Sequence, residues 1–237
     1  MWIYWSINFL KMKKKVEKET SFFKLVSFSL SLVVLILIAV LIFVVFNNND
    51  NNNNNLNMNQ NNSNNDMNKG NVAVFQTSMG EFEVELFLDK SPITAGNFKE
   101  LVEKGFYDNT KFHRVIDNFM IQGGDPYSKN DSLKNKWGTG SSGEVIKDEF
   151  IKGLSNLRGT IAMANSGPNS GSSQFFINLV DNTYLDWDKQ PSTSKHPVFG
   201  KVISGMDVVD KIGKVSTNPR TGNIPYENVV VNKIYIK

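Results

Sequence analysis

The chain has 237 residues and no cysteine, which excludes disulfide cross-links, thiolate chemistry and lipid attachment at cysteine. Its net charge of +3 is local: Lys11, Lys13, Lys14, Lys15, Lys18 and Lys24 against Glu17 and Glu19 leave residues 1–46 at +4, whereas residues 70–237 carry 19 basic and 19 acidic side chains. A balanced domain lacks the cationic excess that binds phosphate backbones, so nucleic acid is not an expected partner.

Residues 1–21 read as a basic cytoplasmic segment. Residues 22–46 are nearly all apolar, and residues 25–46 form 22 positions without a charge. At about 1.5 Å per residue these reach about 33 Å, enough for a bilayer core of about 30 Å. A cleaved secretory signal and a buried soluble helix are the alternatives. A signal has an apolar stretch of only about 7–15 residues followed by small residues, so the length and the Phe46–Asn47 ending favour an uncleaved transmembrane anchor. The lysines just before it should remain cytoplasmic, which sends the rest of the chain across the membrane. Residues 47–69, of which 15 are Asn, cannot bury enough apolar surface to order themselves and read as a disordered tether.

From residue 70 onward the pattern is one of short strands. Residues 72–77 and 81–88 flank Ser78-Met79-Gly80, a hairpin turn, and Glu81, Glu83 and Glu85 alternate with Phe82, Val84 and Leu86. Ser91-Pro92 should cap and open a helix running to about residue 104, stopped by Gly105. Further strands are predicted over 111–116, 120–122, 160–164, 174–179, 198–203 and 229–236, with a second helix over 205–212. Many strands with two helices point to a closed antiparallel barrel rather than βαβ units.

Generic catalytic motifs are missing: there is no phosphate-binding glycine loop, no H-E-x-x-H and no G-x-S-x-G. His113 and His196 are the sole histidines, so a metal site would need carboxylates, and neither has a serine partner for nucleophilic chemistry. No metal and no cofactor are expected. Three segments instead concentrate polar residues among aromatics: 112–125 (FHRVIDNFMIQGGD), 161–176 (IAMANSGPNSGSSQFF) and 196–202 (HPVFGKV). On the strand period Phe112, Arg114 and Ile116 share one face. Arg114 is then either an exposed surface residue or a partly buried one needing partners, for which Gln122, Asn165 and Gln174 are candidates.

These three segments, with Gly138-Thr139-Gly140 between the first two, closely resemble the cyclophilin family over residues 72–236. The resemblance implies a closed eight-stranded antiparallel β-barrel capped by two α-helices, here preceded by one transmembrane helix, and peptidyl-prolyl cis/trans isomerase activity on proline-containing polypeptides. Exported or membrane-proximal clients would follow from the anchor. Arg114 matches the family's catalytic arginine. Phe119, Met120, Phe176 and Leu185 match the apolar pocket for the proline ring. Gln122, Ala164, Asn165 and Gln174 match residues that hold the peptide or orient the arginine, and His196 and Tyr184 match rim positions. His113 matches a position outside the groove and reads as structural. A non-catalytic proline-peptide binding scaffold is the alternative function.

The sequence departs from the family pattern at three places. Ser166 replaces a common Ala, Tyr184 stands where Trp is frequent, and nine residues (WDKQPSTSK) separate Asp186 from His196 where compact members have about two. The second and third changes imply weak cyclosporin binding, with Trp187 a candidate to restore aromatic surface near the rim.

Overall fold

The computed structural model describes residues 70–189 and 195–237. The segments 1–21, 22–46 and 47–69, expected to be cytoplasmic, membrane-spanning and disordered, lie outside the described residues, as do residues 190–194 of the insertion. Among the described residues no helix is long and apolar enough to cross a membrane.

The first two strands, β1 (Val72–Thr77) and β2 (Gly80–Leu86), pair antiparallel with Thr77 opposite Gly80. The turn is therefore the two residues Ser78-Met79, with Gly80 already in the strand. Phe82, Val84 and Leu86 are buried while Glu81 is exposed and Glu83 and Glu85 are half-buried, the alternation that one packed and one wet sheet face requires.

Helix α1 (Pro92–Glu103) starts as Pro92 dictates, but its cap differs from the expectation. The Ser91 hydroxyl makes no capping bond and donates instead to the Val198 carbonyl at 3.3 Å. The free N–H groups of Ile93 and Thr94 donate to the Glu149 carboxylate at 3.3 and 3.0 Å. An anion from a distant loop thus meets both the orphan donors and the positive end of the helix dipole, leaving the buried serine to satisfy a strand carbonyl. At the other end Gly105, at φ +66°, donates to Val102 (2.9 Å) and Phe106 to Leu101 (2.9 Å). This closing pair needs a left-handed residue, which is why the helix stops at glycine.

The predicted strand over 111–116 is interrupted. It divides into β3 (Thr110–Lys111) and β4 (Arg114–Ile116), with Phe112 and His113 between them. The reason is a change of partner: β3 pairs with β11 (Val230–Ile236), whereas β4 pairs with β5 (Met120–Gly123). The break also defeats the strand period, because Phe112 turns into the inner core with Val115 while Arg114 and Ile116 remain half-buried outside it.

The remaining strands are β6 (Thr160–Met163), β7 (Phe175–Asn178) and β8 (Val198–Ser204), followed by helix α2 (Met206–Gly213). A small hairpin not anticipated from the sequence, β9 (Thr217–Asn218) with β10 (Ile224–Pro225), completes the set. The main sheet is a curled antiparallel one in the order β3-β11-β1-β2-β8-β6-β7-β5-β4. Its two edge strands, β3 and β4, are neighbours in the chain.

Inside the curl lies an aromatic core. Phe98 of α1 stacks on Tyr107 at 5.0 Å and meets Phe175 edge-on at 5.5 Å, with Phe75 and Phe199 alongside. Each such buried ring contributes about 1.5–3 kcal/mol relative to exposure. A second, smaller cluster of Met120, Ala162, Phe176 and Val198, joined by Phe119, Ala164 and Leu185, forms on the opposite face of β5, β6 and β7.

Candidate active site

Strand register builds the site. Arg114 on β4 lies opposite Gln122 on β5, Gln122 opposite Phe176 on β7, and Phe176 opposite Ala162 on β6. Side chains that share a row across neighbouring strands share a face, so a cation, an amide and an aromatic ring are laid side by side. On β5 the alternation sends Ile121 into the inner core and Met120 and Gln122 to the face that carries this row.

Arg114, Phe119, Met120, Gln122 and Phe176 surround a cavity of about 210 Å³, closed by Ala164, Asn165, Leu185 and His196. A larger cavity of about 330 Å³ adjoins it, sharing Gln122, Ala164 and Asn165 and walled by Gly138–Ser141, Ser166, Ser170, Ser172 and Gln174. Gln174 therefore belongs to the neighbouring cavity and reaches the first through its hydrogen bonds. The structure does not bring Tyr184 into either lining. It is 58% exposed and stacks on Phe119 at 6.3 Å. Trp187 lines neither cavity: it stacks on Phe150 at 6.2 Å and lines a separate one with Leu154 and Asp186.

Arg114 is held by a directed series of hydrogen bonds. Nη1 of Arg114 donates to Oε1 of Gln122 (3.1 Å), and Nε2 of Gln122 donates to Oε1 of Gln174 (3.0 Å). Nε2 of Gln174 then donates to the carbonyls of Gly138 (3.1 Å) and Gly140 (2.8 Å). A guanidinium only donates and a carbonyl only accepts, so both amides have a single consistent orientation. Partial burial lowers the arginine pKa, since desolvation disfavours the cation, yet a guanidinium stays charged at any working pH.

His196 donates from Nδ1 to the Met163 carbonyl at 2.9 Å and sets its ring edge-on to Phe176 at 5.1 Å. Burial lowers its pKa, so the ring is neutral near pH 7, although the Met163 carbonyl and Asp148 oppose the shift. Asn165 donates to the Lys195 carbonyl at 2.7 Å and accepts from Gly167 N at 3.4 Å. His113 lies outside both cavities, buried, with neither ring nitrogen hydrogen-bonded in good geometry. Desolvation brings its pKa down to about 4 against the opposing charge of Asp125.

Two sets of supporting residues escaped the sequence reading. Behind the apolar wall, buried Asp186 accepts from Asn156 N (2.8 Å) and Nδ2 (3.0 Å), while Asn182 donates to the Phe119 carbonyl (2.9 Å). Under the Gly138–Gly140 turn, buried Asp125 accepts from backbone N–H groups. The signal for the second was a Gly-Gly-Asp-Pro run, whose buried acid needed donors that only a glycine-rich turn could bring close. Among the described residues no group of three or more His, Asp or Glu could hold a metal ion.

The family profile described as Cyclophilin type peptidyl-prolyl cis-trans isomerase/CLD matches residues 72–236. A peptidyl-prolyl cis-trans isomerase of Acinetobacter baylyi is 46% identical over 165 residues, covering 68% of this chain and 83% of the relative. Peptidyl-prolyl cis-trans isomerase B of Escherichia coli is 41% identical over 172 residues, 70% of this chain and 99% of the relative. The crystal structure of a Cryptosporidium parvum cyclophilin type peptidyl-prolyl cis-trans isomerase superposes with a TM-score of 0.61 at 28% identity, covering 71% of this chain and 98% of that one. With a row of strand-borne Arg114, Gln122 and Phe176 at the centre of the matched region, this chain belongs to the cyclophilin type peptidyl-prolyl cis-trans isomerase family and is an enzyme of that class.

Proposed function

We propose that the enzyme turns X-Pro bonds at the 210 Å³ cavity, with the proline ring against Phe119, Met120, Phe176 and Leu185 and the reacting amide beneath Arg114. The observation that carries this reading is the fixed donor beside an apolar pocket: Arg114 is tied through two amides to backbone carbonyls. Rotation of an X-Pro bond faces a barrier of about 18–20 kcal/mol because amide resonance is lost. No bond breaks, so no nucleophile or acid–base pair is needed. As the bond twists, the prolyl nitrogen becomes pyramidal and recovers a lone pair. A preorganised guanidinium donates to that nitrogen, or steadies the adjacent carbonyl, more strongly in the twisted state than in the planar one. The apolar wall excludes water and strengthens the interaction. Asn165 and Gln122 hold the peptide flanks, and neutral His196 closes the rim. A related Cryptosporidium parvum isomerase was crystallised in the presence of the dipeptide Ala-Pro, in keeping with proline-containing polypeptides as substrates here.

Counted as one strand, β3 and β4 close the sheet into an eight-stranded barrel with α1 and α2 as its end caps, a view supported by the two sheet edges being adjacent in the chain. The apolar stretch over 22–46 anchors the protein in a membrane, the lysine cluster before it stays cytoplasmic, and the Asn-rich 47–69 tether presents the isomerase domain, residues 70–237, to exported or membrane-proximal clients. Protease added to intact cells should then cut the tether and release the isomerase. Protection until lysis would reverse the orientation.

Activity is tested by exchange of a short X-Pro peptide in the presence of the full-length protein. Acceleration of cis/trans exchange supports the enzyme. Binding of the peptide without acceleration would instead make the domain a proline-peptide scaffold.

A further inference from the structure

The series of bonds that orients Arg114 does not end at the Gly138 and Gly140 carbonyls. The N–H groups of the same two glycines donate to Oδ2 of Asp125, the Gly140 bond measuring 3.3 Å, and Oδ1 of Asp125 accepts from Tyr127 N at 2.7 Å. Asp125 is fully buried and, among the described residues, has no cationic partner in an ion pair. Among the described residues the hydrogen bonds to its carboxylate come from backbone N–H groups alone. A Cβ at Gly140 would stand 2.1 Å from Oδ1 of Asp125, so only glycine lets the turn come this close to the carboxylate.

We propose that Asp125 is a positioning residue for the isomerase reaction, fixing the Gly138–Gly140 turn so that its carbonyls hold Gln174, Gln174 holds Gln122, and Gln122 holds the Arg114 guanidinium. Both carboxylate oxygens face donors, which demands a side chain that only accepts. An amide at this position would set an NH₂ group against a backbone N–H. The turn would shift, Gln174 would lose the two acceptors that orient its Nε2, and the Arg114 donor would lose its fixed direction. Donors must be held within about 0.5 Å of the productive geometry to act fully in a transition state, so the loss falls on turnover rather than on substrate binding.

The inference rests on the isomerase reading and is tested in the full-length protein with a short X-Pro peptide, by comparing wild type, Asp125→Asn, Gln174→Ala and the double variant. Asp125→Asn should lower kcat by about three- to tenfold, the range of one lost hydrogen bond, with KM nearly unchanged. The double variant should be no slower than the slower single one within about twofold, because the two residues act through one path. Gly138→Ala is a second probe that leaves Asp125 in place: at φ +90° an added Cβ meets only His113, at 3.7 Å, but strains the turn. It too should lower kcat, and should do so only when Gln174 is present. An Asp125→Asn protein with full kcat, or losses that multiply in the double variant, would overturn the inference while leaving the isomerase reading standing. If Asp125→Asn does not fold, an unchanged kcat in Gly138→Ala would overturn it equally. A wild-type protein without activity would remove both.

Discussion

Arg114 and Gln122 face each other in register on β4 and β5, and the guanidinium donates to the amide at 3.1 Å. That single bond occupies one of five guanidinium donors and leaves the others for a substrate. Arg114→Ala should therefore lower kcat/KM by about 100- to 1000-fold, the usual cost of removing one preorganised donor. The residue is half-buried at the edge of the smaller cluster, so the far-ultraviolet circular dichroism and the urea midpoint should change little. A folded variant with near-normal turnover would remove arginine from the mechanism.

Acid should weaken the fold through His113. Its folded pKa is about 4 against about 6.5 in the unfolded chain, so between these values the unfolded state binds more protons. Stability is then complete above about pH 6.5 and falls as the pH drops toward 4, by up to about 3 kcal/mol from this group. The lowered pKa of His196 acts in the same direction. His113→Gln should flatten the slope of unfolding free energy against pH, measured by urea titration between pH 7 and pH 5. An unaltered slope would place the titrating group elsewhere.

Glu149 caps α1 from 55 residues away. Replacing it with Ala should cost about 1 kcal/mol of stability, the range typical of an N-terminal helix cap, and should speed hydrogen exchange at Ile93 and Thr94 before other amides of the helix. Equal exchange in both proteins would show that water replaces the carboxylate without loss.

Cyclosporin-type peptides should bind weakly, because Tyr184 is smaller than an indole and stands outside the pocket lining, touching its wall through Phe119. Tyr184→Trp should tighten binding by roughly tenfold, about 1.4 kcal/mol, with far less effect on isomerase activity. Equal affinities in a calorimetric titration would show that another contact limits binding.

Much of this was legible in the sequence because it depends on local pattern. The Glu81–Leu86 alternation predicts one packed face, and Pro92 and Gly105 mark the limits of α1, since each acts through its own backbone geometry. Of the residues singled out by the long composite resemblance, eight line one cavity with Arg114. What the sequence hid are the places where distant segments compete for the same groups. Ser91 looks like a cap until Val198 takes its hydroxyl and Glu149 takes its role. The run over 111–116 looks like one strand until β11 claims one half and β5 the other. Trp187 looks available for the rim until Phe150 offers it a stacking partner.

The interrupted strand has a further consequence. The outward N–H of Lys111 on β3 is taken by the Ser128 hydroxyl at 2.9 Å, and that of Val115 on β4 by the Asn223 carbonyl at 3.0 Å. At these two positions the borders of the sheet are blunted by the protein's own loops, which removes donors that an incoming extended chain would pair with. An X-Pro peptide that reaches the enzyme thus meets an apolar cavity and a row of side-chain amides, while these two border donors are already spoken for.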